Sequence, residues 1–128
     1  MPACRALFGA ETLDYAQAVE RHYREGAPAD WPQHFVSSYA TMHPWEDWAE
    51  TWAHYMHLVD TLETAETYGL QLRPKPVDGK SGKNVALRAL DYTDFDELLE
   101  AWVPLTVALN SLNRSMGVID PYPFVLVD

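Results

Sequence analysis

Apolar positions recur at helical spacing in four stretches of the chain. Over 11–25, Leu13, Ala16, Val19 and Tyr23 are separated by charged residues, and Gly26-Ala27-Pro28 closes the segment. Phe35, Val36 and Tyr39 give a second apolar side, which predicts a short helix from Pro32 to about Met42. The third stretch opens at Pro44, a residue suited to a first helical position because its missing N–H would be unpaired there anyway. No breaker follows before Gly69, and Trp45, Trp48, Trp52, Met56 and Val59 share one face at about 100° per residue. Glu46, Glu50, His54 and His57 form a second stripe on another side of the same helix. The last stretch opens at Thr93-Asp94-Phe95-Asp96-Glu97, where Asp94 and Glu97 stand as a capping pair. It runs to about Ser115, with Pro104 expected to bend it and Gly117 to stop it. Between these helices, residues 70–90 carry Arg73-Pro-Lys-Pro76 and Asp78-Gly-Lys-Ser-Gly-Lys83, which is turn chemistry and predicts an exposed loop. The pattern predicts an all-α protein of four to five helices, organised as one helical domain over 1–128.

Charge narrows the functions open to such a domain. Nineteen acidic residues against nine basic ones give a net charge of −10, which repels polyanions and argues against nucleic-acid or basic membrane-surface binding. The apolar runs are far shorter than the ~18 residues that span a bilayer. The start of the chain shows no charged region followed by an apolar one, so a cytoplasmic location is expected. A single cysteine makes neither an intrachain disulfide nor a thiolate zinc site.

The helical histidines invite a search for a metallopeptidase motif. His-Glu-x-x-His places two imidazoles on one helix face with a carboxylate to work on water. None of the five histidines is followed by Glu, so the motif is absent from these residues. Glu50, His54 and His57 fall at i, i+4 and i+7, which could hold a metal or be an ordinary polar face. Glu46 on spacing alone is a first-turn acid, stabilised by the helix dipole by ~0.3–1 kcal/mol. The tryptophans are expected in the core, with a stacking platform as the alternative. Asp78-Gly-Lys-Ser-Gly-Lys83 lacks phosphate-loop spacing, and Cys4 has no activating neighbour.

The segment His43-Pro-Trp-Glu-Asp-Trp-Ala-Glu-Thr-Trp-Ala-His-Tyr55 closely resembles a bacterial family of zinc-binding metallopeptidases. Arg5-Ala-Leu-Phe-Gly9, Asp14-Tyr15, Phe35-Val-Ser-Ser-Tyr39, Ala108-Leu-Asn-Ser-Leu-Asn-Arg-Ser-Met-Gly117 and Tyr122-Pro-Phe124 agree in order. Glu-x-x-Ala-Glu-x-aromatic is also similar to the downstream half of a glutamate-zincin. The resemblance implies a zincin-like C-terminal helical subdomain of a larger zinc hydrolase. It assigns Glu46 as third zinc ligand, Glu50 as the acceptor that orients a ligating histidine, and Tyr39, seven residues before Glu46, as an oxyanion donor. The family's two histidine ligands and general base would then lie ahead of residue 1. The chain alone is expected to bind zinc weakly or not at all and to be inactive, with peptide or protein as substrate only when completed. Competing expectations are a non-catalytic interaction module and a small metal-binding protein using Glu50, His54 and His57.

The same resemblance predicts an uncovered apolar surface around Trp45, Ala49 and Ala53, beside a cleft shared by Tyr39, Glu46 and Glu50, with Trp48 and Trp52 buried. Its expected cover is a second copy of the chain, a bound partner or the N-terminal segment 1–25. The segment Asn110–Met116 receives no role from sequence.

Overall fold

Local stop and start signals delimit the helices of the computed structural model, which describes residues 2–75, 84–87 and 90–122. Helix α1 spans Pro2–Phe8, α2 Tyr15–Glu25, α3 Pro44–Thr67 and α4 Phe95–Ser115; strands β1 (Gln71–Leu72) and β2 (Val85–Ala86) pair antiparallel, Gln71 opposite Ala86 and Leu72 opposite Val85. The protein is mostly helical, as the hydrophobic pattern predicts. No described helix is long and apolar enough to cross a membrane.

The chain divides into two compact units, the first reaching Tyr55 and the second running from Met56. In the second unit, Leu58, Leu62 and Ala65 of α3 fall at i, i+4 and i+7, and Leu98, Ala101, Trp102 and Leu105 of α4 at i, i+3, i+4 and i+7. These two stripes, with Val85 and Leu87, make one buried apolar cluster. Leu62 and Leu98 are completely buried. Asp94 caps α4 by accepting the backbone N–H groups of Asp96 and Glu97 at 3.1 and 3.2 Å. Its own N–H donates to the Asp91 carbonyl rather than to Glu97, so the cap is one-sided and the expected reciprocal pair is not formed. Two matching terminators close the long helices. Leu70 N–H bonds Ala65 O and Gly69 N–H bonds Glu66 O; likewise Val118 bonds Asn113 and Gly117 bonds Arg114. Both turns need a left-handed residue, supplied by Gly69 and Gly117 at φ of 62° and 74°. The helix continues past Pro104 to Ser115.

The segment Asn110–Met116 acquires a structural role here. Asn110 presents its amide to Tyr122 as a peptide group would, donating to the Tyr122 carbonyl at 2.7 Å and accepting its N–H at 3.3 Å. Asn113 donates to the Ile119 carbonyl, and the Arg114 guanidinium pairs with Asp120. Three polar side chains on one end of α4 thus strap the 119–122 stretch to it.

The first unit departs further from expectation. Helix α1 has no counterpart in the hydrophobic pattern. Asp14, accepting from Gln17 N–H at 3.0 Å, starts α2 four residues later than the pattern suggested. Of the predicted stripe on that helix, Leu13 and Tyr23 are exposed, and Ala18 is the buried residue. The helix expected from Pro32 to Met42 is absent: a single 3-10 turn covers Trp31–Gln33, and turns follow. The serine and threonine hydroxyls explain the difference. Ser37 Oγ accepts from Ala40 N–H at 3.1 Å and Thr41 Oγ1 donates to Ser38 O at 2.7 Å, bonds that compete with a helical ladder. Within 70–90 the β1–β2 ribbon forms and buries Val85 and Leu87, while the turn-rich stretch 76–83 lies outside the described residues.

Candidate metal-ligand site around Glu46

The start of α3 is set by an unusual cap. His43 is buried, and its Nδ1 accepts the Trp45 backbone N–H at 3.1 Å. Its Nε2 lies 3.1 Å from the Leu13 carbonyl oxygen. A backbone N–H only donates and a carbonyl only accepts, so the ring is a neutral imidazole carrying its proton on Nε2. The His43 carbonyl then accepts from Glu46 and Asp47 N–H groups, closing the first turn. This places Glu46 in the first turn of α3, where the helix dipole favours a carboxylate.

Glu46 is half-buried, and the Tyr15 hydroxyl donates to its Oε1 at 2.7 Å. Tyr15 sits at the start of α2, directly after the capping Asp14. Its ring packs edge-on to His43 at 5.3 Å and against Trp45 at 5.7 Å, which fixes the phenol in place. The hydrogen bond to Glu46 pushes the Tyr15 phenol up to about 12, with smaller contributions from desolvation, the Glu46 charge and the nearby Tyr39 phenol. Tyr39 and Glu46 are therefore both neighbours of Tyr15. Tyr39 is 37% exposed and has the His22 ring edge-on at 6.2 Å. Next to Glu46, Asp47 is pushed up by partial burial, against a weaker hydrogen bond from Thr51.

A groove of about 620 Å³ opens beside Glu46, walled by Phe8, Pro44, Trp45, Trp48 and Ala49. Its lining includes Glu11 but neither Tyr39 nor Glu50, so the three predicted site residues do not share this groove. The α1 segment forms one wall through Phe8 and Gly9; a Cβ on Gly9, whose φ is 89°, would lie 3.6 Å from the Pro44 ring. Arg5 holds α1 to the following turn through a two-pronged bond to Glu11, which the guanidinium keeps down at about 2. The expectation of buried tryptophans holds for Trp102, which is 3% exposed, and is overturned for Trp48 and Trp52. Trp45, Trp48 and Trp52 are 55%, 52% and 54% exposed, and Trp48 and Trp52 stack parallel at 6.4 Å. The aliphatic stripe of α3, not the aromatic one, enters a core, because Leu58, Leu62 and Ala65 meet α4.

Among the described residues, no three His, Cys, Asp or Glu side chains are grouped so as to hold a metal ion. This includes the set Glu50, His54 and His57; His57 Nδ1 lies 3.0 Å from the Tyr122 hydroxyl. Glu46 is a half-buried carboxylate anchored at one oxygen.

Comparison with known proteins gives this carboxylate its context. A family profile described as "Putative zinc-binding metallo-peptidase" matches residues 1–128. The chain belongs to that family. It is 49% identical over 120 residues to uncharacterized proteins of Mycobacterium tuberculosis (strains CDC 1551 / Oshkosh and H37Rv) and of Mycobacterium bovis. The match covers 94% of this chain and 33% of each relative, so the chain spans about a third of the length of the curated proteins it matches. No solved structure matches it significantly. Sequence reasoning had reached Glu46, Glu50 and Tyr39 but not Tyr15 or His43, which contact the Glu46 turn directly. Asp14, as a helix cap, was the local signal that could have placed Tyr15 at a helix start.

Proposed function

We propose that this chain is the helical portion of a zinc metallopeptidase that contributes one carboxylate ligand, Glu46, to a site completed by two imidazoles and a general base from outside these 128 residues. The observation that carries the reading is the anchoring of Glu46: it stands in a first helical turn with one oxygen held by a phenol. A ligand fixed in this way loses little freedom on binding metal. Zinc would supply Lewis-acid activation of a peptide carbonyl and of water. Tyr39, beside the same phenol, is the hydroxyl that donates to the oxygen gaining negative charge. Glu50, one turn on from Glu46, accepts from a histidine N–H and orients that ring. Substrates are peptide or protein chains. By itself the 128-residue chain does not hydrolyse them, because one carboxylate does not make a zinc centre.

The test is a hybrid in which these residues replace the matching stretch of a Mycobacterium tuberculosis relative. The hybrid is expected to retain one zinc per chain after dialysis, while the 128-residue chain alone retains none. Glu46→Gln in the hybrid is expected to release the metal. A hybrid that never holds zinc, or that holds it equally well as Glu46→Gln, overturns the reading.

A further inference from the structure

We propose that the groove beside α1 is a binding site for an arginine side chain carried on a peptide. The inference goes beyond the reading of Glu46 as a ligand and does not depend on it. The walls of the groove are aromatic and held in place. Trp45 packs on the Tyr15 ring at 5.7 Å and on the His43 ring at 5.0 Å. Trp48 stacks parallel on Trp52 at 6.4 Å. Phe8 of α1 contributes a third ring to the lining. Both indoles are still about half exposed, so apolar faces remain open to an occupant. Charge selects that occupant. The lining contains Glu11 and Glu46 and, among the described residues, no Lys, Arg or His. Glu11 is offset by Arg5, whereas Glu46 is bonded by a phenol that adds no charge. The chain as a whole carries a net charge of −10, so an anionic ligand is repelled. A guanidinium suits both features of the groove. It is planar and weakly hydrated, so it stacks on an indole face, and its charge is drawn to the carboxylates. A lysine ammonium is more strongly hydrated and has no flat face to stack. The arginine belongs to a longer chain because the aromatic surface does not end at the groove. It continues along α3 from Trp48 to Trp52, and from Trp52 to the Tyr55 ring at 5.7 Å. With arginine seated against Trp45 and Trp48, neighbouring residues of the peptide run over that face.

The test uses the 128-residue chain with a chelator present, so that metal plays no part. The probes are acetylated and amidated glycine peptides with a central arginine, citrulline or norleucine. Citrulline keeps the shape of arginine and lacks its charge. Binding is followed by NMR through the N–H signals of the five indoles. The arginine peptide is expected to shift the Trp45 and Trp48 signals and to leave that of the buried Trp102 in place. It should bind about tenfold more tightly than the citrulline peptide. Trp48→Leu keeps an apolar wall and removes the aromatic face, and should abolish that preference. Cys4, the single cysteine of the chain, lines the same groove, so a bulky maleimide attached there should block the arginine peptide. Circular dichroism confirms that each form folds. Equal binding of the arginine and citrulline peptides, tighter binding of the norleucine peptide, or binding that survives the maleimide overturns the proposal. So does an arginine peptide that shifts no indole signal at millimolar concentration. None of these outcomes bears on zinc retention by the hybrid, so the two readings fail separately.

Discussion

The two units of the chain solve different problems with similar amounts of helix. From Met56 onward, apolar stripes on α3 and α4 meet in one buried cluster that includes Trp102, and caps close both helices. Up to Tyr55 there is little aliphatic core: Ala18, Ala40 and Met42 are buried, while three tryptophans, Tyr15 and Tyr23 reach the surface. What order exists around Glu46 is polar and aromatic, built on His43, Tyr15 and a helix start. The first unit puts aromatic residues at its surface and hydrogen bonds around one carboxylate. The other closes a buried apolar core. Helix α3 belongs to both, and its buried face changes accordingly, from an exposed tryptophan stripe to a buried leucine stripe.

The contrast is most easily broken by truncating the two stripes of α3. Leu62→Ala is expected to cost about 2–5 kcal/mol in urea unfolding, because it opens a cavity in a closed cluster. Trp48→Ala, a larger truncation, is expected to cost only about 1 kcal/mol, most of it the lost stack with Trp52. Equal costs would mean that the tryptophan face is as structural as the leucine face. The helix caps give a smaller test. Asp94 serves two N–H groups and Asp14 one backbone N–H, so Asp94→Ala should cost about 1–2 kcal/mol and Asp14→Ala about 0.5–1 kcal/mol.

Two tyrosines sharpen the comparison by pH. Tyr15 in the first unit and Tyr122 in the second are both pushed up to about 12, but for different reasons: the bond to Glu46 in one, burial in the other. Each group's folded value is raised, so its contribution to stability is complete below the ordinary value of 10 and is lost as pH rises through about 12. Followed by phenolate absorbance, Glu46→Gln should bring one phenol back toward 10 and leave the other near 12. Movement of both, or of neither, contradicts the separate causes. The smallest expected effect is at Glu11. Its carboxyl is depressed to about 2 by Arg5, so the benefit of the pair is present above the ordinary value near 4.5 and disappears as pH falls toward 2. The difference in melting temperature between wild type and Glu11→Gln should therefore shrink across that range. A constant difference would mean that Glu11 acts through packing.

What could be read from sequence was mostly local. Pro44, Gly69, Asp94 and Gly117 announced the ends of α3 and α4 because caps and left-handed turns are chosen within a few residues. The all-helical class followed from the same signals. The apolar stripe on α3 was read on the wrong face, since periodicity counts tryptophan as apolar without saying what it meets. The Pro32–Met42 helix failed because Ser37 and Thr41 hydroxyls took the backbone bonds. Helix α1 carries too few residues for a stripe. Around the site, resemblance pointed to Glu46, whereas the Tyr15 bond is a contact across 31 residues that no spacing rule reports.

The central proposal is that Glu46 serves as a metal ligand. Zinc-edge X-ray absorption on the hybrid protein tests it most directly. The account predicts a first shell of two imidazole nitrogens and light oxygen donors at about 2.0–2.2 Å, with the zinc lost in Glu46→Gln. A zinc-loaded Glu46→Gln protein with an unchanged first shell would contradict it.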